Sequence, residues 1–104
     1  MEKIHFDQIR DNLCQGDSQI QAGKMMSSEA IVYKQKVFAF FSRNHQMVFK
    51  LGKNYIPQDE HSEIHVFSPF KNKRPLTGWF EVPYELKDLW LSMAIQALEK
   101  IKAE

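Results

Sequence analysis

Five consecutive apolar residues, Val37-Phe38-Ala39-Phe40-Phe41, stand between the polar breaks KQK and SRNH. Their aromatic and β-branched content predicts a strand rather than a helix. Strict alternation then sends Val37, Ala39 and Phe41 to one face and Phe38 and Phe40 to the other. A strand that is apolar on both faces needs cover on both. Two helices can cover one side of a sheet. The other side must then meet the long connection at 52–77, a ligand or a second copy of the chain. The connection is the simplest cover, and a homodimer through the apolar sheet face comes second.

The flanking sequence supplies the rest of the sheet. Ile20 to Met26, Ala30 to Tyr33 and Gln46 to Leu51 are further short apolar or alternating runs, separated by polar breaks such as SSE. This spacing predicts an antiparallel meander with tight connections. Ile64 to Phe67 and Gly78 to Val82 extend it. Before the sheet, Phe6, Ile9 and Leu13 recur at helical spacing, and Gly16 with Asp17 and Ser18 forms a stop, which predicts a helix over about 3–14. After it, Leu86, Leu89, Trp90, Met93, Ala94, Ala97 and Ile101 share one helical face. Glu85 and Asp88 near the start of that helix, and Lys100 and Lys102 near its end, complement the helix dipole. The fold class is therefore α+β. A mostly antiparallel sheet, a meander of about five to six strands, is flanked by an N-terminal and a C-terminal helix.

The chain has 104 residues, 43% hydrophobic and 26% charged, which predicts one globular domain over residues 1–104. MEKIHFDQIRDN lacks the apolar segment of a secretory signal, and the run from Val37 to Phe41 is far too short to cross a bilayer. A single cysteine, Cys14, excludes an internal disulfide and fits a reducing compartment. These features predict a cytoplasmic protein with no membrane partner.

The formal net charge is only +1, but it is unevenly spread. No acid occurs from Ala30 to Gln58, and residues 34–74 carry eight cations against three acids. A segment of that sign can attract polyanions, although solvated turns share the composition. Aromatics interleave with cations in VFKLGKNY and in FKNKRPLTGW, where Lys50, Lys71, Lys73, Arg74 and Trp79 are the candidate binding residues. Such residues can stack on bases and pair with phosphates. Packing of Trp79 on the core is the competing reading.

Catalytic and metal chemistry find little support. Cys14 ends an amphipathic helix with no base beside it in sequence, as an inert buried thiol would. There is no GxSxG and no phosphate-cradling glycine loop. In DEHSEIH, His61 and His65 would share a face only on a helix. On a strand they stand roughly 13 Å apart. No catalytic residue, metal or cofactor is predicted.

GKMMSSEAIVYKQKVFAFF, MVFKLG and KRPLTGWFEVP, followed by LKDLWLSMAIQAL, resemble the small bacterial TfoX/Sxy N-terminal-domain-like proteins and the neighbouring MmcQ/YjbR group. The matching positions are Lys24-Met25, Val37 to Phe41, Lys50-Leu51-Gly52, Arg74-Pro75, Gly78-Trp79 and Trp90, within about residues 5–100. Met26-Ser27 stands where that pattern often has Phe-Gly, and Lys34-Gln35-Lys36 where it often has an Asp-Gly turn. The longer competence regulators also carry a C-terminal domain not seen in this sequence. The resemblance implies the same α+β fold, a loosely regulatory or DNA-associated role and no established catalytic residues. The expected function is a non-enzymatic regulatory or binding module with a protein or nucleic-acid partner. The alternative is a small-molecule or anion-binding protein using Lys50 and Arg74.

Overall fold

The computed structural model describes residues 2–25, 27–56, 63–68 and 76–104. Helix α1 (Glu2–Gly16) leads into strands β1 (Ile20–Met25), β2 (Ser28–Tyr33), β3 (Lys36–Phe41) and β4 (Met47–Lys50). Strands β5 (His65–Val66) and β6 (Trp79–Val82) follow, then a 3-10 turn at Tyr84–Leu89 and helix α2 (Trp90–Lys102). The chain is α+β. Among the described residues the six strands form one sheet in the order β1-β2-β3-β4-β6-β5, with antiparallel neighbours throughout.

The first four strands are the expected meander; the last two are not in sequence order. β6 lies beside β4, and β5 moves out to the edge. Burial explains the exchange. Phe80 and Val82 of β6 enter the core, whereas His65 and Val66 of β5 are both exposed. A two-residue exposed strand is well suited to an edge, and the more apolar strand takes the interior place.

Both helices pack on one face of the sheet. Their core joins Phe6, Ile9 and Leu13 of α1 and Trp90, Met93, Ala94, Ala97, Leu98 and Ile101 of α2 with Ile31, Phe38, Met47 and Phe49 of the strands. Trp90 is fully buried. The opposite face carries a smaller cluster of Ala30, Phe40, Val48 and Phe67, flanked by Met25, Val37, Leu76 and Trp79. Phe67 and Leu76 belong to the long connection, so its described part does supply cover for the second face. Phe40 is 1% exposed, with its ring 5.2 Å from Phe67 and 5.5 Å from Trp79.

Two expectations need correction. Simple alternation fails in β3, because the pairing with β2 shifts between Ile31 and Val32. Ile31 faces Ala39, but Val32 faces Val37. Phe38 is the additional residue of a β-bulge. As a result Phe38, Ala39 and Phe41 all contact the helix-side core, leaving Val37 and Phe40 on the other face. The C-terminal helix also starts later than its periodicity suggests. Pro83 holds extended backbone, Leu86 bonds back to the Pro83 carbonyl, and Leu86 itself is non-helical (φ −104°, ψ 27°). The chain thus leaves β6 through a tight turn, and the α-helix begins at Trp90.

Candidate functional site

The lysines gather at one end of the sheet. The β2–β3 hairpin closes with Tyr33 opposite Lys36, and its turn residues Lys34 and Gln35 both have positive φ (48° and 72°). The last turn of α2 arrives at the same place. The ammonium groups of Lys34 and Lys102 each lie 5.6 Å from the centre of the Tyr33 ring. The Tyr33 hydroxyl donates to Gln19 Oε1 (3.2 Å), and Lys102 reaches Asp17 Oδ2 at 3.7 Å. Because β4 runs antiparallel to β3, Lys50 and Lys53 also end here. The Lys100 chain passes within 3.9 Å of where a Cβ on Gly52 would stand.

Lys34, Lys36, Lys53, Lys100 and Lys102 are exposed. Among the described residues, Lys36, Lys53 and Lys100 have no carboxylate within ion-pair distance. Asp17 and Glu104 are the acids paired at this end, with Lys102 and Lys50 respectively. The result is a row of exposed ammoniums along one end of the sheet, two of them beside a half-buried aromatic ring. This chemistry suits phosphate or carboxylate oxygens on an extended partner.

The sequence-predicted site divides. Lys50 and Trp79 are register partners on β4 and β6. Trp79 packs on Phe40, and the Lys50 ammonium is engaged by Glu104 Oε2 at 3.3 Å. Lys71, Lys73 and Arg74 lie outside the described residues, as do His61 and Pro75. The chain leaves the described residues after Ser68 and re-enters at Leu76, whose N–H donates to the Phe67 carbonyl at 2.8 Å. Gly78 has φ 89°, and a Cβ there would stand 3.3 Å from the backbone of Gly52 and Lys53. Its carbonyl accepts the N–H groups of Leu51 and Gly52, which fastens β6 to the end of β4.

Sequence reasoning missed a second polar group, built around Glu81. This carboxylate is 3% exposed, on the side of the sheet away from the helices. Ser42 Oγ donates to Glu81 Oε2 at 2.7 Å, and Asn44 Nδ2 donates to the same oxygen at 3.4 Å. The Ser42 oxygen in turn accepts the backbone N–H groups of Asn44 and Gln46. From β5, His65 Nε2 lies 3.1 Å from Glu81 Oε1. Ser42 and His65 both meet the carboxylate rather than each other, so the imidazole does not stand between serine and acid as it does in a Ser-His-acid relay. The trio is not a nucleophilic triad. The available signal was Glu81 itself, a lone acid at an inward position of the apolar run WFEV.

At Cys14, burial pushes the thiol above its ordinary pKa, and Arg10 opposes this in part. Among the described residues no group of three His, Cys, Asp or Glu side chains could hold a metal ion, and no helix is long and apolar enough to cross a membrane. Comparison with family models, with curated proteins and with solved structures finds no match.

Proposed function

We propose that this chain is a non-enzymatic binding module of the TfoX N-terminal-like type, acting in the cytoplasm on an anionic partner, a nucleic-acid backbone. One observation carries this reading: Lys34 and Lys102 lie against the Tyr33 ring, Lys36 is its register partner, and the exposed Lys53 and Lys100 stand by Gly52 at the same end of the sheet. These residues are far apart in sequence and share a location only through the fold. Charge neutralisation would provide the affinity, and the aromatic ring would provide a surface beside it.

An electrophoretic shift titration at low and moderate salt tests the proposal, using duplex and single-stranded probes. Affinity should fall steeply with salt, with a logarithmic slope near −0.9 for each duplex phosphate contacted. Replacing Lys34, Lys36 and Lys102 together by Ala should weaken binding and flatten that slope by roughly two to three units. A separate variant at Lys71, Lys73 and Arg74 examines the cations expected from sequence. No shift at low salt would refute a nucleic-acid partner and redirect the search to an acidic protein surface.

A further inference from the structure

Of the two edges of the sheet, β5 is only two residues long, whereas β1 has six residues in regular pairing. Its register with β2 runs unbroken from Ile20 opposite Tyr33 to Met25 opposite Ser28. Just beyond that ladder the Lys34 N–H donates to the Gln19 carbonyl at 3.1 Å, which sets the phase of the hydrogen bonds. Gln21, Gly23 and Met25 therefore turn their backbone groups toward β2, and Ile20, Ala22 and Lys24 turn theirs outward. The outward N–H of Ile20 is taken by the Asp17 carbonyl at 3.0 Å. Among the described residues, the N–H and carbonyl groups of Ala22 and Lys24 meet no partner, and both residues are exposed. β1 has no proline and no bulge against β2, two devices that commonly close such an edge.

The side chains select the kind of strand that fits there. Lys24 lies on the helix side, with Ala22 and the buried Ile20. Its register partner Glu29 is already held by Lys3 at 2.8 Å and by Arg10 at 3.5 Å. Lys24 itself has no carboxylate within ion-pair distance among the described residues. β1 contains no acid, so a second copy of it would bring another Lys24 and nothing to neutralise either. A strand with a carboxylate opposite Lys24 supplies the complementary charge. On the other side Gly23 has no side chain, and a Cβ there would stand 2.7 Å from Val32 Cγ1. An apolar residue opposite Gly23 would meet that methyl group across the glycine.

We propose that the β1 edge takes up an extended acidic peptide of a partner protein as an added antiparallel strand. Backbone bonds from Ala22 and Lys24 supply the affinity, while the Lys24 charge and the gap at Gly23 select the sequence. Lys24 stands at the opposite end of β1 from the Tyr33 pairing. This surface is therefore separate from the lysine end proposed for nucleic acid, and neither reading depends on the other.

The probe is a blocked peptide, valine-glutamate-valine-threonine-threonine-valine, titrated into the isotope-labelled chain and followed by amide NMR. The backbone amide protons of Ala22 and Lys24 should move downfield, while those of Gln21 and Gly23, already bonded to β2, move less. Replacing the peptide's glutamate by glutamine, or Lys24→Gln in the chain, should weaken binding about threefold each, and the two together no further. Ala22→Pro should abolish binding and keep the fold, because the lost N–H faces away from β2. Should that variant not fold, the glutamine peptide and Lys24→Gln still decide. No shift at Ala22 and Lys24 with millimolar peptide, or equal binding of the glutamine peptide, would overturn the proposal. So would a dimer in sedimentation that Ala22→Pro dissolves, which gives the edge to a second copy, or a duplex oligonucleotide that moves the same two amides.

Discussion

The Trp90 indole N–H donates to the carbonyl of Val82 across 3.2 Å, which bonds the first residue of α2 to the last residue of β6. The ring is wholly buried, with His5 and Tyr84 beside it at centroid distances of 5.4 and 5.5 Å. Trp90→Ala should therefore cost about 3–5 kcal/mol. Trp90→Phe keeps most of the apolar contact but leaves the Val82 carbonyl without its donor, a loss of about 1–3 kcal/mol. Denaturant unfolding of both variants checks this. A wild-type midpoint for Trp90→Ala would contradict the packing of α2 on the sheet.

The β2–β3 turn holds two side-chain-bearing residues at positive φ, where Asn-Gly or Asp-Gly is the usual choice. Gln35→Gly should remove the Cβ penalty at φ 72° and stabilise the chain by about 1 kcal/mol. Thermal unfolding would show this as a higher melting temperature. Lys34 stays in place, so the contact with Tyr33 is retained.

Gly78 and Gly16 should respond oppositely to alanine. At Gly78 a Cβ meets positive φ and the backbone of Gly52 and Lys53 at 3.3 Å, where there is no flexible side chain to move aside. Gly78→Ala should destabilise by about 2 kcal/mol or more. At Gly16 nothing lies within 4 Å, and an alanine should be tolerated or slightly stabilising. Equal melting temperatures for the two variants would be the contrary result.

The Cys14 thiol is raised first by burial, which disfavours the thiolate, and is only partly lowered again by Arg10. The thiolate therefore appears at higher pH than in a free cysteine. At mildly alkaline pH, alkylation should be several-fold slower than for cysteine in a peptide, and denaturant should restore the ordinary rate. Mass spectrometry of the modified fraction over time provides the measurement.

Much of the architecture could be read from the chain because its cause is local. Phe6, Ile9 and Leu13 define a helical stripe, and the polar breaks separate the first four strands at nearly their true ends. What escaped reading depends on contacts distant in sequence. The exchange of β5 and β6 reflects competition for an interior place, which no single segment reveals. The bulge at Phe38 is a property of the β2–β3 pair, so alternation within β3 assigned both Val37 and Phe38 to the wrong faces. The site followed the same division. Positive charge over 34–74 was visible in composition, but the approach of Lys102 to Tyr33 comes from packing of α2. Ser42, His65 and Glu81 meet only because of the strand order.

The bulge also determines how β3 can change in length. On the β2 side Phe38 has no register partner, since Val32 faces Val37 and Ile31 faces Ala39. Deleting the single codon for Phe38 would close that ladder into regular pairing, with Val37, Ala39 and Phe40 still on their present faces. Deletion further along the strand would turn one half of it over. At this position the reading of the sheet survives a lost residue. The damage would be a missing phenyl ring in the core rather than a misaligned sheet.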